Sequence, residues 1–314
     1  MKKSFASLYI LIGVGCLLMA CTLVASCGQS YEEHQRITRA ERKRLAREDS
    51  AALKIGVTPT LDCLPVWLAK ERRLFDTLGA DVRPKAFNSH LDCQEALLKG
   101  KVEGCFTDIV RAERMMKRGT PLQYATATNA YWLFVSNRLA RVKEVKQMND
   151  KMVAITNHSA TDMMVQAWVD SAKMQQTSVF RVPVNDVLIR MLMLRNNEMD
   201  AVMVTEPQAT EALLFKHRKL KDSRDMDLRM GAVVFRTKGM GDKARKKQLE
   251  VFVKAYNMAC DSINQKGLKH YADLIKKHTK ADDKVIEALP KLKFEHAAPP
   301  RQKDIEAARK WLGK

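Results

Sequence analysis

The sequence predicts an α/β fold in two lobes, and three observations predict it. Short apolar strands alternate with helix-length segments from residue 53 to the helix that starts at Asp108, the alternation begins again at residue 151, and beyond residue 236 the chain reads almost wholly helical. A chain of 314 residues, 46% of them hydrophobic, can fill two domains of about 100–150 residues each. Its 55 Lys and Arg against 36 Asp and Glu give a formal charge of +19, which raises nucleic acid as a partner. Total charge, however, speaks to solubility and non-specific attraction before it speaks to function.

In the first lobe, residues 53–57 (Leu-Lys-Ile-Gly-Val) alternate as a strand, and Thr58-Pro59-Thr60-Leu61-Asp62 forms a turn ending in a helix cap. Leu64, Trp67, Leu68 and the pair Leu74-Phe75 then recur at helical spacing. A second strand over 81–87 leads through Asn88-Ser89-His90 into a helix over 91–99, and a third over 102–107 runs up to Asp108. Such βα units make a mostly parallel sheet, with ligands beyond the carboxyl ends of the strands where helix starts point free N–H groups. The second lobe repeats the pattern: strand 151–156, loop 157–161, helix 162–172, strand 179–182, helix 185–195, and strand 200–204 running into Thr205-Glu206-Pro207. Proline there suits the first turn of a helix. A last apolar run at 232–235 precedes the helical tail.

The N-terminus sets the compartment. Lys2 and Lys3 precede an uncharged run from Ser4 to Ser26, the layout of an export signal and nearly long enough for an uncleaved anchor. Leu23-Val24-Ala25-Ser26-Cys27, followed by Gly28-Gln29-Ser30, resembles a bacterial lipoprotein lipobox, whose Cys is acylated before cleavage. Leu18-Met19-Ala20-Cys21 is a second candidate with a bulkier Met. Residues 1–26 then form the signal, and 27–52 a lipid-bearing polar tether whose Arg36, Arg39, Arg42, Lys43, Arg44 and Arg47 are offset by Glu32, Glu33, Glu41, Glu48 and Asp49. Both the lipoprotein and the anchor place the body outside the cytoplasm. The first places it in the cell envelope, held to a bacterial membrane and facing the periplasm or exterior. Several acyl chains on one Cys anchor durably, since each buried methylene contributes about 0.8 kcal/mol.

Three pieces in order, LKIGVTPTLDCLPVWLAKERRLF, GCFTDIV and NEMDAVMVTEPQATEA, resemble the type II periplasmic binding proteins of ABC importers over roughly residues 53–314. Within them the chain is most similar to the branch that includes nitrate, sulfonate and thiamine-precursor binders. The resemblance implies two lobes, 53–134 with 236–314 and 135–235, whose mixed, mostly parallel sheets are flanked by helices. Crossing segments near 134–137 and 234–237 would close the lobes on a solute by hinge motion. It implies as partners a small-molecule solute, a membrane permease with its ATPase, and the bilayer through acylated Cys27, with a monomeric receptor and no cofactor.

A solute held between lobes is desolvated and needs polar partners from both. The first lobe offers Thr58, Thr60, Asp62, Asn88, Ser89, Thr107, Asp108 and Thr126; the second offers Asn157, Ser159, Thr161, Asn185 and Glu206. Asp62, Asp108 and Asn185 are equally readable as helix caps, whereas Glu206 matches the family's Glu-Pro at a strand end. Trp67 and Trp168 read as core, and Tyr131 and Trp132 lie near the expected hinge. With carboxylates and almost no Lys or Arg in these loops, the expected solute is neutral or cationic, an amino-heteroaromatic such as a thiamine-type pyrimidine. The alternative is a small anion, a sulfonate or nitrate, held by helix starts and hydroxyls.

Of the seven cysteines, Cys16 and Cys21 lie in the signal and Cys27 is the lipid site. Cys63 and Cys93 each follow Leu-Asp at a helix start after the first two strands, which are neighbours in this fold, so an oxidising compartment permits a disulfide between them. The scattered histidines and the lack of Cys-x-x-Cys argue against a zinc site. No nucleophile elbow, P-loop or His-Glu-x-x-His helix is present, and Gly239-Met240-Gly241 with Ala244 is an incomplete dinucleotide fingerprint. An enzyme on the same fold, of the pyrimidine-synthase or dehydratase kind, remains as an alternative, and so does a lipoprotein that binds an anionic surface polymer. From Arg236 on, 20 Lys and Arg face 10 Asp and Glu at helical intervals. That spacing reads as a solvated outer face, and no nucleic-acid motif accompanies it.

Overall fold

The structure, a computed structural model, describes residues 39–238 and 241–313. The signal, the lipobox with Cys27 and its alternative Cys21 lie outside the described residues, as does part of the Gly239 fingerprint. Helix α1 (Arg39–Ala51) forms a unit by itself, charged and exposed throughout most of its length. The second unit, residues 53–314, is the α/β body.

Each expected βα unit forms. Strand β1 (Leu53–Val57) is followed by α2 (Leu64–Glu71) and the single turn α3 (Leu74–Thr77), β2 (Val82–Ala86) by α4 (His90–Leu98), and β3 (Gly104–Asp108) by α5 (Ile109–Lys117). Strand β4 (Leu122–Ala127) ends the first pass through this lobe, and β5 (Leu133–Ser136) opens the second. There β6 (Lys151–Ile155) leads to α6 (Ala160–Ser171), β7 (Val179–Pro183) to α7 (Val187–Arg195), and β8 (Ala201–Val204) through a cis Glu206-Pro207 peptide to α8 (Gln208–Leu214). Strand β9 (Arg218–Asp222) closes that lobe and β10 (Gly231–Arg236) returns to the first. The tail carries α9 (Lys243–Lys266), α10 (Ala272–Thr279), α11 (Asp283–Ala288) and α12 (Gln302–Leu312).

The strands make two five-stranded sheets, β2-β1-β3-β10-β4 and β7-β6-β8-β5-β9. In each, the βα strands pair in parallel and the strands that cross between lobes pair antiparallel: β10 with β3 and β4, β5 with β8 and β9. This corrects the expected lobe boundaries. Residues 133–134 already belong to the second sheet and 231–235 to the first, so the crossings run over 128–132 and 223–230, earlier than expected at both places. The helical tail needs a correction too, because residues 289–301 have no regular structure and run past Phe294 and Pro299 as an extended segment.

Alternation explains the core. Leu53, Ile55 and Val57 of β1 bury against Trp67 and Leu68 of α2 and Phe252 of α9. In α9 the buried positions Val251, Phe252, Ala255, Tyr256, Ala259, Cys260 and Ile263 recur every three or four residues, one helical stripe, while Lys243, Lys246 and Lys247 stand in solvent. Burying a side chain such as Phe252 contributes about 1.5–3 kcal/mol. Trp67 and Trp168 are core residues, stacked on His278 and Phe134. The expected disulfide does not form: Cys63, Cys93, Cys105 and Cys260 are all buried free thiols. Cys63 Sγ turns to the Thr58 and Thr60 hydroxyls at 3.8 and 3.9 Å, while Cys93 Sγ lies against the β1 backbone, 3.1 Å from where a Cβ on Gly56 would stand.

Close approach of β3 and β10 requires a residue without a side chain, since a Cβ on Gly104 would lie 2.5 Å from the buried Phe235 ring. Gly104→Ala is expected to lower the unfolding free energy by about 1–3 kcal/mol through overpacking, read as a lower urea midpoint at unchanged slope. Gly241→Ala, with nothing within 4 Å of the new Cβ, is the control and should leave the midpoint in place.

Candidate functional site

The carboxyl ends of β1, β2 and β3 face those of β6, β7 and β8, and the loops that follow them meet. At the cleft, hydrogen bonds pass directly from lobe to lobe, among them Leu61 N to Glu206 O at 2.8 Å, Gln208 Nε2 to Pro59 O at 2.9 Å, Val187 N to Asn88 O at 3.2 Å, Arg111 Nη1 to Asn157 O at 3.3 Å, and Ala160 N to Asp108 Oδ1 at 3.0 Å. The lobes are therefore closed on one another. What remains between them is a cavity of about 20 Å³, lined by polar side chains from both lobes and by Trp132 from the first crossing. That is room for a water molecule and no organic solute, so entry requires the hinge to open.

Four of the expected residues line this cleft: Asp108, Ser159, Thr161 and Asn185. Ser159 caps α6 by accepting from Thr161 N, and its hydroxyl donates to Thr156 O at 2.6 Å. Asn185 is no cap, since the carboxylate of Asp186 takes the Leu188 and Ile189 N–H groups at the start of α7. Asp108 is a cap and more. Its Oδ1 accepts from Arg111 N of its own helix and from Ala160 N of the opposite lobe, both at 3.0 Å.

The other expected residues do not line the cleft. Thr58, Thr60 and Asp62 bond one another, and Thr128 of the crossing donates to Asp62 at 3.0 Å. Asp62 caps no helix, and burial raises its pKa. Ser89 caps α4, and Asn88 and Asn157 contribute backbone carbonyls to the lobe contact. Thr126 donates to Ala127 O and accepts from Ala298 N. Thr107 is buried with its hydroxyl unpartnered. The Glu206 carboxylate takes the Tyr131 hydroxyl at 2.5 Å and Thr210 N at 3.1 Å, and it does not line the cleft.

Sequence reasoning missed the charged part of the site. Arg190, 3% exposed, reaches from α7 into the cleft and donates to Val184 O, Met203 O and Thr156 Oγ1, all neutral acceptors. Burial pulls its pKa down to about 10, and it remains charged at neutral pH. Arg111, also 3% exposed, donates to Asn157 O and Gln94 Oε1 and leaves Nε buried without a partner. The loops thus lack Lys and Arg, but the helices behind them supply two guanidiniums. A lone Arg within the apolar run Val-Leu-Ile-Arg-Met-Leu-Met-Leu was the signal available. His90, Thr156, Thr205 and Gln208 also line the cleft, together with the apolar Val187, Met203 and Val204; the Gln208 Oε1 is buried and unpartnered. Burial, then Arg111 and Arg190, push the His90 pKa down to about 3, so its ring is neutral and its Nε2 lies 3.3 Å from Thr58 Oγ1. Burial raises the Asp108 carboxyl to about 6 against the opposing pull of Arg111.

A larger cavity, about 460 Å³, takes Tyr131 where the cleft takes Trp132, and is lined by both crossings and the extended tail. Among the described residues no cluster of three His, Cys, Asp or Glu side chains is placed to hold a metal ion.

A model of the NMT1-like family matches residues 46–275. The chain belongs to this family. No curated protein matches the sequence. Among solved structures, the alkanesulfonate-binding protein of Xanthomonas axonopodis pv. citri superposes with a TM-score of 0.71 at 14% identity, covering 84% of this chain and 91% of its own. A ligand-binding component of an ABC-type import system from Staphylococcus aureus gives 0.69 at 18% identity over 83% and 92%. The periplasmic nitrate-binding protein of Synechocystis gives 0.65 at 14% identity over 75% and 68%. The fold of this NMT1-like protein is therefore the two-lobed type II periplasmic-binding-protein fold.

A neutral His90 has a consequence for acid stability. Its folded pKa lies below its unfolded value, so between pH 6.5 and about 3 the unfolded chain binds a proton that the folded one refuses, and stability falls as pH falls through that window. The slope from this one group is at most about 1.4 kcal/mol per pH unit. His90→Gln is expected to lose less melting temperature between pH 7 and pH 4 than the parent, measured by thermal scans across that range.

Proposed function

We propose that this protein is the solute-binding component of an ABC importer, which captures one small molecule between its lobes and presents it to a membrane permease driven by its ATPase. The observation that carries this is the polar cleft itself, sealed by direct hydrogen bonds between the carboxyl edges of two sheets and too small when shut to serve a large substrate. The resemblance of residues 23–27 to a lipobox supports an envelope lipoprotein held to the membrane by acylated Cys27, in line with a receptor that must stay beside its importer. Metabolic labelling with palmitate should mark the parent and leave Cys27→Ser unlabelled; label retained in Cys27→Ser and lost in Cys21→Ser would move the lipid site.

The solute we favour is compact, neutral or cationic, and carries N–H donors, as an amino-pyrimidine does. The Asp108 carboxylate, the unpartnered Gln208 carbonyl and the unprotonated nitrogen of the neutral His90 ring offer a solute hydrogen-bond acceptors. A small anion is the second reading, favoured by Arg111 and Arg190, whose hydrogen-bond acceptors are all neutral, and by the sulfonate and nitrate ligands named for the structural neighbours. Binding stabilises by RT ln(1 + [L]/Kd), so a melting panel separates the two: a shift with amino-pyrimidines and none with methanesulfonate or nitrate is expected, and the reverse result would select the anion. Recovery of the bound solute unchanged after prolonged incubation distinguishes a receptor from an enzyme on the same fold.

A further inference from the structure

We propose that Asp108 is the specificity-determining residue of the cleft, an internal anion that occupies the place a solute's negative group would take at the start of α6 and so keeps small anions out. This rests on the cleft being the solute site.

The geometry is specific. Asp108 Oδ1 lies 3.0 Å from the backbone nitrogens of Arg111 and Ala160, so one oxygen serves the starts of two helices in opposite lobes. Both helix starts favour negative charge, and the residue is only 2% exposed, where such charge is poorly screened. Arg111 supplies the independent sign that this place is built for an anion. Its guanidinium is buried, bonds only neutral oxygens through Nη1 and Nη2, and keeps an unpartnered Nε. Arg190 across the cleft is likewise bonded to neutral oxygens. The Arg111 guanidinium and two helix starts thus share one carboxylate, and that carboxylate belongs to the chain. A solute that brings its own anionic group meets Asp108 already in position and is repelled; a solute that brings N–H donors finds an acceptor.

The test uses the purified protein and two variants. Asp108→Asn keeps an oxygen for both N–H groups and removes the charge, and Asp108→Ala removes both. Calorimetric titration with methanesulfonate at pH 8 is expected to give at least tenfold tighter binding to Asp108→Asn than to the parent. Small-angle scattering is expected to show Asp108→Asn as compact as the parent and Asp108→Ala more open. Lowering the pH from 8 to 5 protonates Asp108 in the parent, so the parent should approach the affinity of Asp108→Asn while that variant changes less. The other charged groups near Asp108, namely Arg111 on its own helix, His90 on α4, Arg190 on α7, and His158 and Asp162 at the start of α6, are common to both proteins and cancel in the comparison. Equal anion affinity in parent and Asp108→Asn, including no binding to either, overturns the proposal. Should the parent still bind an amino-pyrimidine in that case, the receptor reading stands without it; if no solute of the panel shifts the melting of any of the three proteins, the receptor reading fails as well.

Discussion

The arrangement of both lobes depends on strand β10. It follows the second crossing, which ends at residue 230, and enters the first sheet antiparallel between β3 and β4, pairing Gly231 with Asp108 and Ala232 with Ala127. The first sheet is incomplete until the chain has built the second. A Cβ on Gly231 would stand 2.1 Å from Thr128 Oγ1, so the two crossings press together where they pass. That fixes the axis about which the lobes can turn, and it also places Asp108, paired with Gly231 at the end of β3, at the mouth of the cleft.

Around that axis the lobes meet through direct hydrogen bonds and through a shared apolar cluster. A closed state held by large apolar burial would resist opening, whereas backbone and side-chain hydrogen bonds exchange with water at a net difference of only about 0.5–1.5 kcal/mol each. The Leu61, Asn88, Asn157, Asp108 and Gln208 contacts at the cleft are of this exchangeable kind. The clusters around β1 and around Cys93 and Cys105 lie within the first lobe, whereas another joins Ile109, Val110 and Ala232 of the first lobe to Val153, Met163 and Met164 of the second, and the buried thiols, far from pairing, act as small core side chains.

Much of this was legible in the sequence. The βα units announced themselves because their strands are apolar and their helix starts carry Ser, Asp or Pro. Strand β9 did not, since Arg-Lys-Leu-Lys-Asp reads as a charged loop; it is an edge strand whose lysines keep it from pairing with another chain. The lobe boundaries slipped because a strand that crosses between lobes looks, residue by residue, like any other. At the site, loop residues beyond strands were readable from position. Thr58, Thr60 and Asp62 were over-read, because short polar side chains close together satisfy each other first. Arg190 and Arg111 were under-read, because a cation on a helix looks solvated until the packing shows what faces it.

Helix α12 makes contacts of another kind. Arg309 Nε bonds Glu113 of α5 at 2.6 Å, and Trp311 Nε1 bonds Gln166 of α6 at 2.8 Å, so one short helix grips the first lobe and the second. Helix α12 follows both sheets in the chain, so a polypeptide emerging N-terminus first can assemble both sheets before this fastening arrives. The folds of the lobes are thus set before the helix that ties them together is in place.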